Sequence, residues 1–268
     1  MFEKAKNYYR NLKILKLIYG NDIVSSFLSL KNLNKVTLEP PASGKILVIA
    51  PHPDDELIGL GGTLRLHVLN KDTVKVVYIA DGSMGFPRNY RPTHREKQEM
   101  ADKRELEARE GMEAVGVSDL IFLEYKDGKF FVNDNVLKYM IQLLNNMKPD
   151  IIYIPYFFDS NRDHQQTLNM MMQTLEQSKL STKIAMYEVW EPLIANFIVG
   201  IDKVASTKEE ALKIHKSQLN SINYLYSAMG ISAYRGAINE AGDYAEAFLV
   251  LDSEVTLKLY HKISRVLN

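Results

Sequence analysis

"VIAPHPDDELIGLGGTL", residues 48–64, sets a histidine, a proline and three successive acids between an apolar run and a glycine-rich stretch. The apolar run reads as the end of a strand and the residues after the acids as a helix, so the polar group falls on a strand-to-helix turn. Adjacent carboxylates such as Asp54, Asp55 and Glu56 raise one another's cost of ionisation unless a cation neutralises them. One aspartate could cap the helix, but that leaves His52 and the second acid without a role. The glycines invite a dinucleotide-binding loop. That motif needs a further glycine at position 64, which is leucine, and the acids would repel a pyrophosphate. The pattern therefore points to a metal site. His52 and Asp55, three apart around a turn that Pro53 initiates, can face one point, and Asp54 between them need not be a ligand.

Outward from this stretch, strand and helix patterns alternate. "GKILVIA" (44–50), "DTVKVVYIA" (72–80), "DLIFLEY" (119–125) and "PDIIYIPY" (149–156) are short apolar runs, separated by helical patterns over 55–71, 94–117 and 135–148. A helix follows over 164–179, then strands in "KIAMYEVW" and "NFIVGID", one helix over 208–230 and a last strand over 245–252. Near-continuous apolar strands alternating with helices predict a three-layer α/β/α, Rossmann-like fold with a mostly parallel sheet. No linker divides the chain, so one domain is expected over 45–268 after an N-terminal helical arm over 1–44. Chemistry in such folds sits beyond the carboxyl ends of the strands. Polar residues follow each early strand: 52–56, Asp81-Gly82, 124–127, and "FFDSNRDH" (157–164).

Composition narrows the function classes. Lys plus Arg equals Asp plus Glu at 33 each, so no bulk field draws the chain to nucleic acid. The absence of cysteine removes disulfides, thiolate zinc sites and a cysteine nucleophile together, and fits a cytoplasmic location. No apolar stretch approaches a membrane span, and the N-terminus lacks a signal-peptide pattern. The first 20 residues carry Lys4, Lys6, Arg10, Lys13 and Lys16 against Glu3, with Phe2, Ala5, Tyr8, Leu12, Leu15 and Ile18 at roughly helical spacing. Such a basic amphipathic helix either docks on the domain or on a second subunit of a homo-oligomer, or touches the inner membrane surface peripherally.

A catalytic zinc wants about three protein ligands and an open position. Of the remaining histidines, His67 reads as packed, His261 as surface and His94 as a helix-start residue. His164 follows the fourth strand, on the edge that carries His52, and the adjoining Asp163 could orient a catalytic imidazole. His52, Asp55 and His164 make a two-histidine, one-carboxylate set that suits Zn²⁺ over magnesium, with Fe²⁺ or Co²⁺ as further occupants.

With these residues in view, "APHPDDELIGLGGTL" resembles the A-H-P-D-D-E signature of the PIG-L/LmbE-like de-N-acetylase family, with Pro51 where alanine is usual. "RELEAREGMEAVGV" (104–117) is similar to the family's R-x-x-E-A helix and "NRDH" (161–164) to its H-x-D-H motif. "YEVWEPL", "HKSQ", "YRG" and "YAEAF" look like a sugar-modifying branch. The resemblance implies a zinc hydrolase that removes acetyl groups from N-acetylglucosamine units of a glycoconjugate or nucleotide-sugar precursor, the substrate being a small or lipid-linked amino sugar. Carried over by position, His52, Asp55 and His164 hold the metal and Asp54 is the general base. The chain departs from the family at Asn161, where the first histidine of H-x-D-H is expected. Asparagine can donate a hydrogen bond to an oxyanion but cannot transfer a proton. Either Asn161 does the electrostatic part alone, or His215 supplies the missing group. On the same resemblance Arg104 is a substrate-binding candidate, with a salt bridge to Glu107 as the alternative. Asp127 stands where the family has an acid near the sugar, or is a turn aspartate. Arg88, Arg91 and Arg95 are candidates for a phosphate. Gln218, Arg235, Tyr244 and Glu246 carry family-type motifs without a derivable role. Hydrolysis of another amide, as in a sugar–amino acid thiol precursor, and a catalytically silent homologue that binds metal or sugar are the alternatives.

Overall fold

Strand β2 (Lys45–Ala50) turns Ile46, Val48 and Ala50 to one face and Leu47 and Ile49 to the other, and all five are buried. A strand dry on both faces requires helices on both. The computed structural model, which describes residues 37–38, 44–87, 89–219 and 223–267, supplies them. Helices α1 (Asp55–Leu69), α2 (His94–Val115), α5 (Ala205–Ile214) and α7 (Tyr224–Asn239) pack on the Ile46 face through Leu57, Met112, Leu212 and Ala228. Helices α3 (Asp134–Met147), α4 (Arg162–Ser178) and α8 (Ser253–Leu267) cover the Leu47 face through Met140, Leu168 and Leu259. The expected three-layer α/β/α architecture is what forms.

The remaining strands are β1 (Thr37–Leu38), β3 (Thr73–Ala80), β4 (Asp119–Tyr125), β5 (Ile151–Pro155), β6 (Lys183–Tyr187), β7 (Phe197–Gly200) and β8 (Ala245–Asp252). They form one sheet in the order β1-β7-β8-β6-β5-β2-β3-β4. β8 runs antiparallel to β6 and β7, and every other pairing is parallel. From β2 the chain builds outward through β3 and β4, then returns to the other side of β2 as β5. The crevice where strand order reverses, outside the carboxyl ends of β2 and β5, is where such sheets bind ligands.

Local chemistry sets the helix ends. Thr93 and Glu96 form a reciprocal capping box at the start of α2, which stops at Gly116 in the left-handed conformation (φ 92°). The single helix expected over 208–230 is instead three pieces: α5, α6 (Lys216–Leu219) and α7. His215 leaves the helical region (ψ 53°), and the Asn223 side chain accepts a hydrogen bond from the Tyr226 N–H to start α7 afresh. The proposed arm over 1–44 lies outside the described residues except for β1, which pairs with β7, and Gly44. Among the described residues, no helix is long and apolar enough to cross a membrane.

Helix α1 is broken at Leu60 (φ −149°, ψ 22°). A Cβ at Gly59 would lie 2.4 Å from the Tyr187 ring and 2.7 Å from the Glu188 carbonyl oxygen, so only glycine passes there. The break frees buried backbone groups that need partners. Lys208 Nζ donates to the Ile58 carbonyl at 2.9 Å, and Glu246 accepts from the N–H groups of Gly62 and Thr63 at 2.9 and 2.7 Å. The two side chains pair with each other at 2.7 Å and are 1% exposed.

Candidate active-site cleft

His52 follows β2, Asp55 opens α1 and His164 lies in the first turn of α4, after β5. Their facing atoms, His52 Nδ1, Asp55 Oδ2 and His164 Nε2, form a triangle with sides of 3.3, 3.3 and 3.1 Å. A tetrahedral ion with ligand bonds of about 2.0–2.1 Å separates its ligand atoms by about 3.3–3.4 Å. The donor set and its spacing therefore fit a transition-metal dication. All three residues are buried.

The outer nitrogens fix the tautomers. His164 Nδ1 lies 3.0 Å from Asp159 Oδ2, and His52 Nε2 lies 3.3 Å from Asp163 Oδ2 and 3.4 Å from Asp127 Oδ1. Each outer nitrogen thus faces a carboxylate that would keep it protonated when a metal takes the inner lone pair, while without a metal the inner nitrogens meet the Asp55 carboxylate as N–H groups. Such a set calls for positive charge at its centre. Although burial opposes both shifts, the imidazoles hold the Asp55 carboxyl far below the ordinary range, and Asp55 and Asp159 lift His164 to about 9.

Asp54 stands outside this triangle, in the same cleft. Its backbone is left-handed (φ 128°), a conformation that costs a non-glycine residue about 1–3 kcal/mol and must be held by its surroundings. The Asp54 carbonyl accepts from the N–H groups of Leu57 and Ile58, and its own N–H donates to Glu56 Oε2 at 3.2 Å. Glu56 is fully buried and anchored by the Tyr78 hydroxyl at 2.8 Å. The Asp54 carboxylate receives Arg104 Nη2 at 2.9 Å. Burial raises Asp54, Arg104 pulls it down and Asp55 pushes it up, to about 7 overall. Arg104 also donates to the carbonyls of Pro53 (2.7 Å) and Gly82 (3.2 Å). It passes so close to Gly82 (φ 67°) that a Cβ there would meet the guanidinium at 2.6 Å.

His52, Asp54 and Asp55 line a cleft of about 490 Å³, together with Arg104, Asp127 and Asn161. Asp127 also accepts from the Met84 N–H, and despite burial His52 and Arg104 hold its carboxyl near 2. Asn161 Oδ1 caps α4 by accepting the Asp163 N–H at 2.8 Å. Asp163 reaches His52 rather than its neighbour His164, which is served by Asp159, a residue the sequence reading passed over although it lies in "FFDSNRDH". Arg104 pairs with Asp54, not Glu107; Glu107 accepts instead from the backbone and hydroxyl of Ser217. His215 is buried against α2, outside the cleft lining, with neither ring nitrogen hydrogen-bonded. Burial and Arg104 push it down to about 3, so it is neutral.

Arg88 lies outside the described residues, Arg91 donates to the Tyr90 carbonyl and Arg95 pairs with Glu99; neither of the latter lines the cleft. Gln218 does line it, 3.4 Å from the Gly85 carbonyl oxygen. Arg235 clasps Glu188 and the Leu193 carbonyl, Glu246 serves the broken helix, and the Tyr244 N–H donates to Asp202. Trp190 and Tyr224 close one side of the cleft, and Phe86 and Pro87, from the loop after β3, also line it.

Residues 47–175 match the family described as PIG-L, GlcNAc-PI de-N-acetylase. Diacetylchitobiose deacetylase of Thermococcus kodakarensis is 27% identical over 195 residues, 65% of this chain and 70% of the relative. Among solved structures, N,N'-diacetylchitobiose deacetylase from Pyrococcus horikoshii shares the fold with a TM-score of 0.67 at 24% identity, covering 96% of this chain and 95% of that one. A 4-carboxy-2-hydroxymuconate hydratase from Pseudomonas putida also shares it, with a TM-score of 0.65 at 19% identity over 78% of this chain and 96% of that one. One fold thus carries two chemistries, and the reaction has to be argued from the site. The family match over residues 47–175 and the deacetylase relatives agree with what the motifs implied.

Proposed function

We propose that this PIG-L-type chain is a metal-dependent amidohydrolase that removes the N-acetyl group of an N-acetylglucosamine-type sugar. The observation that carries the reading is the division of labour among adjacent acids: Asp55 faces the inner nitrogens of two imidazoles, while Asp54, in the same cleft but outside that triangle, pairs with Arg104 at a carboxyl pKa of about 7. The relative's name, diacetylchitobiose deacetylase, supports the substrate class.

His52, Asp55 and His164 would hold the metal. Two imidazoles and one carboxylate suit Zn²⁺, and the same set accepts Fe²⁺ or Co²⁺. Such an ion supplies Lewis acidity, polarising the acetamide carbonyl and easing ionisation of water. Asp54 accepts the proton of the attacking water. A carboxyl that titrates near the working pH can then return that proton to the amine nitrogen as the C–N bond breaks, giving acetate and the free amino sugar. Arg104 keeps Asp54 ionised between turnovers. Asp127 and Asp163 orient His52, and Asp159 orients His164. Asn161 offers the forming oxyanion a hydrogen bond from its amide nitrogen, leaving both proton transfers to Asp54. That Asn161 lines the cleft and His215 does not favours this over a role for His215.

The test pairs elemental analysis of the purified protein with acetate release from N-acetylglucosamine saccharides. Near-stoichiometric metal and chelator-sensitive acetate release are expected. Asp54→Asn should keep the metal and lose about 10²- to 10⁴-fold in turnover. Loss of the metal in that variant would sink the assignment of Asp54 as base, and failure of the wild type to bind any metal after reconstitution would sink the whole reading.

A further inference from the structure

We infer that the cleft takes an uncharged saccharide of at least two sugars, with the sugar beyond the N-acetylated one stacked on Trp190. The inference rests on the deacetylase reading of the cleft.

Trp190 is 44% exposed, yet the loop that carries it, residues 188–196 between β6 and β7, is tied down at several points. Glu188 is buried and paired with Arg235, accepts from the Leu193 N–H at 2.8 Å, and Arg235 donates to the Leu193 carbonyl at 2.8 Å. The Trp190 N–H donates to Asp159 Oδ2 at 3.3 Å, the same carboxylate oxygen that faces His164. The loop is thereby fastened to the carboxylate that faces His164. The indole meets the Tyr224 ring nearly at right angles, with centroids 5.8 Å apart. Phe86, stacked on Tyr90 at 5.2 Å, also lines the cleft. An immobilised but half-exposed indole loses little freedom when a flat apolar surface covers it. The C–H face of a pyranose ring is such a surface.

The charge of the lining selects against an anionic aglycone. With Asp55 given to the metal, Asp54 and Asp127 stand, among the described lining residues, against one arginine, Arg104, and that guanidinium is engaged by Asp54 and the carbonyls of Pro53 and Gly82. A phosphate seeks an arginine fork or a cluster of N–H donors. Here it would meet carboxylates and aromatic rings.

Trp190 is the only tryptophan of the chain, so its emission reports the platform directly. Metal-loaded Asp54→Asn protein is titrated with N,N'-diacetylchitobiose, N-acetylglucosamine and N-acetylglucosamine 1-phosphate. The disaccharide should change the emission saturably, at a concentration about 3- to 10-fold below that needed for the monosaccharide. The phosphate sugar should bind no tighter than the monosaccharide. In the active protein, Trp190→Ala should raise KM for the disaccharide about 3- to 10-fold with kcat within about twofold, and Trp190→Phe should recover most of the loss. Acetate release from the disaccharide with unchanged emission and an unchanged KM in Trp190→Ala would overturn the platform and leave the deacetylase standing. Tighter binding of the phosphate sugar would overturn the uncharged class. No acetate from any N-acetyl sugar would overturn the deacetylase reading itself.

Discussion

Replacing Arg104 by glutamine tests whether the base is set by its partner. Arg104 is 4% exposed and lies 2.9 Å from Asp54, whose carboxyl sits at about 7, so half of it is ionised at that pH. Loss of a paired guanidinium raises an aspartate by about one to three pH units, to between about 8 and 10 here. At pH 7 the ionised fraction then falls to between about a tenth and a thousandth, and kcat/KM should fall about 5- to 500-fold. The loss should recover as the pH is raised. A bound dication lowers the carboxyl in wild type and variant alike, so the displacement between their acid limbs is the quantity to read. The assay is kcat/KM for acetate release from pH 5 to 10, with metal content checked at each end. Arg104→Lys should restore part of the limb, because it keeps the charge, but not the rate, because an ammonium cannot fork to Pro53, Gly82 and Asp54 together. An acid limb that stays in place in a folded, metal-loaded Arg104→Gln protein would refute the pairing as the source of Asp54's ionisation.

Asp159→Asn should weaken metal binding about 10- to 100-fold in a competition titration, because His164 loses the carboxylate that orients it; an unaltered affinity would mean that the ring is held by packing alone. Glu56 is pushed up to about 8, chiefly by burial, against 4.5 in an unfolded chain. Between those values the unfolded state binds fewer protons than the native one, so stability falls as pH rises. Relative to wild type, Glu56→Gln should therefore gain stability from about pH 4.5, level off above pH 8 and reach at most about 4–5 kcal/mol, read as the difference in unfolding free energy; a difference independent of pH would show that Glu56 is ionised in the fold. Asn161→His should leave acetate release equal or higher while lowering stability by about 1 kcal/mol, since the α4 cap is lost; a large fall in activity would mean that the pocket is built around the asparagine.

What can be read without a structure is what the chain writes locally. The double-faced apolar runs of β2, β3 and β5, the Thr93 box and the Gly116 stop of α2 lie within a few residues of the elements they define. His52 and Asp55 share one turn, and His164 follows from the rule that puts chemistry at one edge of a parallel sheet. The partners of these residues were less legible. Adjacency suggested Asp163 for His164, but successive residues on a helix point about 100° apart. Asp163 accordingly meets His52 across the sheet edge, while Asp159, before the helix begins, turns back to His164. Arg104 and Asp54 are separated by 50 residues and meet only because α2 packs beside the turn.

The broken helix shows why distance in sequence hides a role. Lys208 reaches Ile58 from 150 residues away, and Glu246 reaches Thr63 from 183. In the sequence they are one lysine in a charged helix and one acid in an apolar strand. A buried ion pair is by itself a weak source of stability, and well-packed apolar side chains often replace one without loss. That substitution does not transfer to this site. Apolar replacements would leave the Ile58 carbonyl and the Gly62 and Thr63 N–H groups buried without partners, each at about 1–3 kcal/mol. The break that requires those partners lies in the short segment between Asp55 and the core residue Leu64, where Gly59 lets the chain pass against Tyr187 and Glu188. The pair belongs to the path that α1 must follow to bring Asp55 to His52 and His164, and its charge is the chemistry that a helix kinked at Leu60 demands.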